Sequence, residues 1–168
     1  MSSPDSTQAR DSARGPRERV FLVVVDESQE MANALRFACR RAQHTGGRVA
    51  LLYVLEPVEF QHWLGVGRVL EEEARMEAER KLQELAGEVF QQSGSMPVLY
   101  IRQGRREDEV LKLLEEEPSI SLLVLATAPK SPNPGPIVSH LMRNLARLKV
   151  PVTLVPGSLS EQEIDALS

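Results

Sequence analysis

Six consecutive apolar residues, Val20 to Val25, open the structured part of the chain. A run that is apolar at every position predicts a strand covered on both faces, as in a parallel sheet. Ser28 then offers a helix N-cap. Met31, Ala34, Leu35, Ala38 and Ala42 share one face of a helix that Gly46-Gly47 stops. Val49 to Leu55 reads as a second strand. After a loop from Glu56 to about Gly67 comes a long helix, roughly Arg68 to Gln92, striped by Leu70, Ala74, Ala78, Leu82, Leu85 and Val89. Pro97 to Ile101 is the third strand. Glu107 to Glu116 is the third helix, with Val110, Leu111 and Leu114 inward and Pro118 as its stop. Leu122 to Ala126 is the fourth strand. A Pro-rich loop, Thr127 to Pro136, leads into a fourth helix carrying Ile137, Leu141, Leu145 and Leu148, and Val150 to Val155 closes the series.

Strict alternation of strand and helix predicts a single α/β domain, a Rossmann-like open parallel sheet of five strands with right-handed crossovers and helices on both faces. In such sheets ligands bind beyond the carboxyl ends of the strands, where the strand order reverses. The domain is expected over residues 19–156. Residues 1–18 are rich in Ser, Pro, Asp and Arg and have few apolar side chains, which predicts a disordered tail. Residues 157–168 form a polar C-terminal tail, a short surface helix or a frayed end, with Leu159, Ile164 and Leu167 as its only anchors.

Charge narrows the function classes. The formal net charge of -4 argues against a nucleic-acid partner, because phosphate binding needs clustered Lys and Arg. Cys39 is the single cysteine, so no disulfide forms within the chain and a reducing cytoplasmic setting is expected. No apolar run is long enough to span a bilayer and no signal core opens the chain, so neither a membrane partner nor export is expected.

With the strands placed, four local patterns become informative. The first strand ends Val25-Asp26-Glu27-Ser28, the second ends Leu52-Tyr53-Val54-Leu55, Gly104 precedes Val110 by six residues, and the chain closes Val150-Pro151-Val152-Thr153-Leu154-Val155. In this order and spacing they resemble the universal stress protein family, along Val20 to Val155. The resemblance implies a strand order of 3-2-1-4-5, a homodimer paired through the last strand Val150–Val155, and a nucleotide site. In that site Asp26 would face the adenine or ribose, and Val54 and Leu125 would line the base pocket.

Nucleotide-binding members of the family carry Gly-x-x-Gly, nine residues, then Gly-Ser or Gly-Thr after the fourth strand. Glycines let backbone N–H groups approach phosphates beside a helix N-terminus. Here Ala126 and Pro129 take the first two glycine positions, and Ser139-His140 or Val138-Ser139 the final pair. Pro129, Pro132, Pro134 and Pro136 each remove a donor from the same loop. Asp26, Val54, Leu125, Ala126 and Ser139 are thus the candidate site, a degenerate one. The alternative for Asp26 is a loop carboxylate that caps the next helix near Ser28, and Val54 and Leu125 read equally as plain core.

Other features are weaker. Gly65-Val66-Gly67 lacks the third glycine of a phosphate loop. His62 and Trp63 in the preceding loop read as a lid, a partner patch or packing. Cys39 reads as an inert thiol, and His44, His62 and His140 show no metal spacing. His140 with Arg143 and Arg147 reads as an anion contact or a solvated face. No catalytic constellation is found. The resulting expectation is a non-catalytic stress or regulatory protein that acts through protein contacts as a homodimer, without a cofactor. The alternative is a switch that binds ATP or AMP through a divergent loop.

Overall fold

The computed structural model describes residues 17–57 and 66–168. The expectations placed on residues 1–16 and on His62, Trp63 and Gly65 lie outside the described residues. Five strands, β1 (Val20–Val25), β2 (Arg48–Leu55), β3 (Val98–Gln103), β4 (Ile120–Thr127) and β5 (Val152–Pro156), form one parallel sheet in the order β3-β2-β1-β4-β5. The most apolar run therefore takes the centre, and all six residues of β1 are buried.

Alternation along β1 divides the core into two layers. Phe21, Val23 and Val25 pack against α1 (Met31–Thr45) and α2 (Val66–Ser93). Val20, Leu22 and Val24 face the opposite layer, built by α3 (Arg106–Glu116) and α4 (Pro136–Arg143). Helices thus cover both faces, as right-handed crossovers in a 3-2-1-4-5 sheet require.

Residues 157–168 are built into the first layer. A helix, α5 (Glu161–Leu167), starts on a capping box in which the Ser160 hydroxyl accepts from Glu163 N–H and the Glu163 carboxylate accepts from Ser160 N–H. Ile164 is its buried anchor at 1% exposure, beside Val155 and the α1 residues of that layer. Asp165 accepts from Arg36 Nε at 2.8 Å and Nη2 at 2.7 Å, and from Arg40 Nε at 3.0 Å. The Arg36 bond first, then Arg40, holds the Asp165 carboxyl down at about 2.

Four local expectations are corrected. Ser28 does not cap α1, whose first turn follows Glu30; both Ser28 N–H and O–H turn back onto Asp26 instead. The long helix buries Ala78, Leu82, Leu85 and Val89, but Leu70 is 41% exposed and every residue from Arg68 to Glu77 is exposed. The fourth helix stops at Arg143, because Asn144 turns its side-chain amide onto the His140 carbonyl; a 3₁₀ turn follows over Leu145–Arg147, and Leu145 is exposed. The last strand begins at Val152 rather than Val150, with Pro151 contributing only its carbonyl, to Leu123 N–H at 3.0 Å. No helix among the described residues is long and apolar enough to cross a membrane.

Candidate functional site

β1 and β4 are neighbours, yet the chain leaves β1 toward α1 on one face and leaves β4 toward α4 on the other. The two exits diverge and open a crevice at the carboxyl ends. A cavity of about 300 Å³ fills it. Its floor is apolar, formed by Val24, Val124, Leu125 and Ala126 from the two strands. Met31 and Ala34 of α1 close one side, and Ile137 and Val138 of α4 the other.

Polar groups reach it from three places. Asp26 stands at the end of β1, half-buried, with Oδ1 accepting from Ser28 N–H at 2.8 Å and Ser28 O–H at 2.6 Å. Those two bonds fix the carboxylate in one orientation. Glu30, just before α1, adds a second half-buried carboxylate. Arg106 comes from the start of α3, the third element at this end. Its guanidinium lies 3.6 Å from Glu56 Oε2, and its backbone N–H reaches Glu56 Oε1 at 3.4 Å. Near the pocket end of β1, Lys81 Nζ is 3.6 Å from Glu27 Oε1 and 3.4 Å from the Asp26 carbonyl. Arg106 and Lys81 thus already have acidic neighbours.

The loop between β4 and α4 forms the open rim. Asn133 accepts from Gly135 N–H at 3.1 Å, and Ser131 O–H donates to the Asn133 carbonyl at 3.2 Å, so part of the loop's polar capacity is used internally. Gly135 has φ +89, a left-handed conformation that turns the chain into α4. Pro136 then occupies the first helical turn without an N–H to offer. Where this loop begins, Gly157 donates its N–H to the Thr127 carbonyl at 2.8 Å. Pro129 and Glu30 crowd the same glycine.

Of the five residues singled out in the sequence, Asp26, Leu125 and Ala126 line the cavity. Val54 is buried in the α3–α4 layer and Ser139 sits within α4, its N–H bonded to the Gly135 carbonyl; neither is on the cavity wall. Glu30, Arg106 and Asn133 are polar residues of the lining that sequence reasoning missed. His140 and Arg147 point to α3 rather than to an anion: Arg147 pairs with both Glu115 oxygens at 2.9 and 3.0 Å, and His140 Nε2 is 3.2 Å from Asp108 Oδ1. Burial pushes the Cys39 thiol up to about 12, which keeps it protonated and unreactive at neutral pH. Among the described residues no three His, Cys, Asp or Glu side chains gather as a metal site would require.

The sequence model of the Universal stress protein family matches residues 18–156. The chain belongs to the universal stress protein family. Comparison with curated protein sequences gives no match. Among solved structures, universal stress protein UspA from Lactobacillus plantarum is similar at 22% identity and a TM-score of 0.67, over 84% of this chain and 99% of that one. A family protein from Burkholderia pseudomallei superposes with a TM-score of 0.62 at 20% identity, over 85% of this chain and 99% of the other. The universal stress protein from Archaeoglobus fulgidus in complex with dAMP gives a TM-score of 0.57 at 16% identity, over 82% of this chain and 97% of that one. At these identities the solved structures support the fold; the family rests on the sequence match.

Proposed function

We propose that this universal stress protein is a non-catalytic regulatory member of its family that acts through protein contacts as a homodimer, its nucleotide site having lost the phosphate half. The observation that carries the reading is the rim of the pocket. Ala126 and Pro129 stand at the start of the loop, Pro136 removes the first donor of α4, and Asp26 and Glu30 place two carboxylates beside the cavity. A polyphosphate needs backbone donors and positive field at that rim.

The edge of β5, unpaired among the described residues, supports the dimer. Leu123 N–H bonds to the Pro151 carbonyl, so backbone groups of alternate residues turn to β4, and those of Val152 and Leu154 turn outward. Leu154, at the middle of that strand, is 44% exposed. An apolar strand edge invites pairing with a second copy about a two-fold axis. Sedimentation equilibrium at micromolar concentration tests this. The expected result is a dimer that Leu154→Pro dissociates while the circular dichroism spectrum is retained. A folded, purely monomeric natural protein overturns the reading. Calorimetric titration with MgATP is expected to give a Kd no tighter than about 100 μM, near −5.5 kcal/mol.

A second reading, an ATP- or AMP-binding switch, is favoured by one observation. The cavity survives at the switch point with Arg106 on its wall, and the Archaeoglobus fulgidus relative of the same fold is in complex with dAMP. A low-micromolar Kd for ATP in that titration selects this alternative.

A further inference from the structure

We infer that this chain carries a second self-contact, in which the end of α4 and the 3₁₀ turn after it, in one copy, dock on the outer face of the first half of α2 in another. The contact goes beyond the pairing proposed for β5 and is independent of it. Both surfaces are apolar patches that the described residues leave uncovered. Along α2, Val69 and Met76 lie seven residues apart, on the side turned away from the buried Ala78, Leu82, Leu85 and Val89. At the end of α4, Met142 and Leu145 lie three residues apart. All four of these outward side chains are more than half exposed. Single exposed apolar side chains are ordinary, but grouped ones mark contact surfaces.

Charge names the occupant. Between Glu117 and Glu161 the chain has Lys130, Arg143, Arg147 and Lys149 and no carboxylate, in a protein of net charge -4. Arg143 and Lys149 are exposed, flank Leu145 in the sequence and form no ion pair among the described residues. The α2 face is the converse. Glu72 and Glu73 are exposed between Val69 and Met76 and likewise form no ion pair among the described residues. Two copies of one patch would bring like charges together, whereas the two different patches complement each other in sign. They do not meet within one chain, because α2 packs with Phe21, Val23 and Val25 and α4 with Val20, Leu22 and Val24, on opposite faces of the sheet. Each copy therefore offers both halves of the contact in different directions, a head-to-tail arrangement that does not stop at two. The docking turn is already formed. Asn144 Nδ2 donates to the His140 carbonyl at 2.8 Å, Leu148 N–H donates to the Leu145 carbonyl at 3.1 Å, and Arg147 is tied to Glu115 of α3. Backbone order thus need not be gained on docking. Exposed ion pairs contribute little each, so the contact is weak and salt-sensitive, with apolar side chains giving affinity and charges choosing the surface.

The test is sedimentation equilibrium on the full chain from micromolar to millimolar concentration, at roughly 10 mM and 1 M salt, where screening lengths are about 30 Å and 3 Å. The expected result is association beyond two copies at low salt, with an association constant at least fivefold smaller at high salt. Two double variants, Arg143→Glu with Lys149→Glu and Glu72→Lys with Glu73→Lys, should each stop it. An equimolar mixture of the two should restore it, because a reversed α4 end then meets a reversed α2 face. Met76→Ser, which changes no charge, should weaken it at least threefold. Circular dichroism checks each variant for fold, and if a double variant does not fold, Arg143→Glu and Glu73→Lys alone take its place. Folded variants whose mixture does not associate overturn the inference. So does growth that neither reversal affects. Assembly that stops at two copies at both salt concentrations also overturns it and leaves the strand-paired dimer standing, and a monomer throughout overturns both.

Discussion

Gly157→Ala is expected to destabilise the domain by about 2 kcal/mol, and the figure follows from what one methyl group would meet. Gly157 is not in the left-handed region, so space rather than backbone conformation is at issue. An added Cβ would lie 2.5 Å from the Thr127 carbonyl oxygen, 3.0 Å from Glu30 Cβ and 3.0 Å from Pro129 Cδ. The nearest of these is backbone and cannot rotate away. Moving β4's end also strains the 2.8 Å bond from Gly157 N–H to the same oxygen. Overpacking of this kind costs roughly 1–3 kcal/mol and a weakened bond about 1 kcal/mol. The narrower unfolded ensemble of alanine returns about 0.4–1 kcal/mol. With a urea slope near 2 kcal/mol per molar, the midpoint should fall by about 1 M. Two other glycines calibrate the measurement. Gly46→Ala meets nothing within 4 Å but sits at φ +69, for a cost of about 1 kcal/mol. Gly87→Ala, exposed within α2 and likewise unobstructed, should stabilise by about 0.5–1 kcal/mol. If urea melts place Gly157→Ala no lower than Gly46→Ala, the close approach of β4, α5 and the α1 entry is not as described.

Two further outcomes concern α5. Ile164→Ala empties a position that is 1% exposed and should lower stability by about 2–5 kcal/mol in the same urea assay; a loss under about 1 kcal/mol would mean that α5 is not docked. Asp165→Asn should be pH-dependent in a definite direction. The folded carboxyl titrates at about 2, below its ordinary 3.8, so its contribution is present above the unfolded value and is lost as pH falls toward 2. The stability difference between natural protein and variant should be constant above about pH 5 and shrink steadily below it, and a gap unchanged at pH 2.5 would refute the arginine clamp.

Layering was legible in the sequence because burial on both faces leaves no room for polar residues in β1, and the alternation of strand and helix then dictates crossovers. The order of strands was not in the pattern of apolar positions; it came through motifs such as Val25-Asp26-Glu27-Ser28 and the closing Val150 to Val155. Periodicity misjudged α2 because a stripe records only which side of a helix is apolar. Leu70 and Ala74 continue the stripe of Ala78 and Leu82 faithfully, but no neighbour covers them among the described residues. Ser28 illustrates a competition that spacing cannot resolve, since the same hydroxyl can cap a helix or bond a carboxylate two residues back. Within the pocket, Asp26, Leu125 and Ala126 were readable as residues at strand ends. Arg106 was not, because only the folded sheet brings the start of α3 to the end of β1, and Glu30 was not, because nothing in its spacing shows that the entry to α1 turns it toward the crevice.

The uneven burial of α2 divides a geometrically continuous helix into two regimes of time. Before Ala78 each turn leans on its own backbone and on surface pairs such as Arg75–Glu79, at 3.5 Å and exposed on both sides. A helical stretch of that length with no packed face among the described residues is marginal in water. After Ala78 the same helix is anchored by Leu82, Leu85 and Val89 in the core layer of β1. Amide hydrogens on the two sides of Ala78 therefore report different events: the early ones exchange whenever a helix end frays, the later ones only when the whole domain opens.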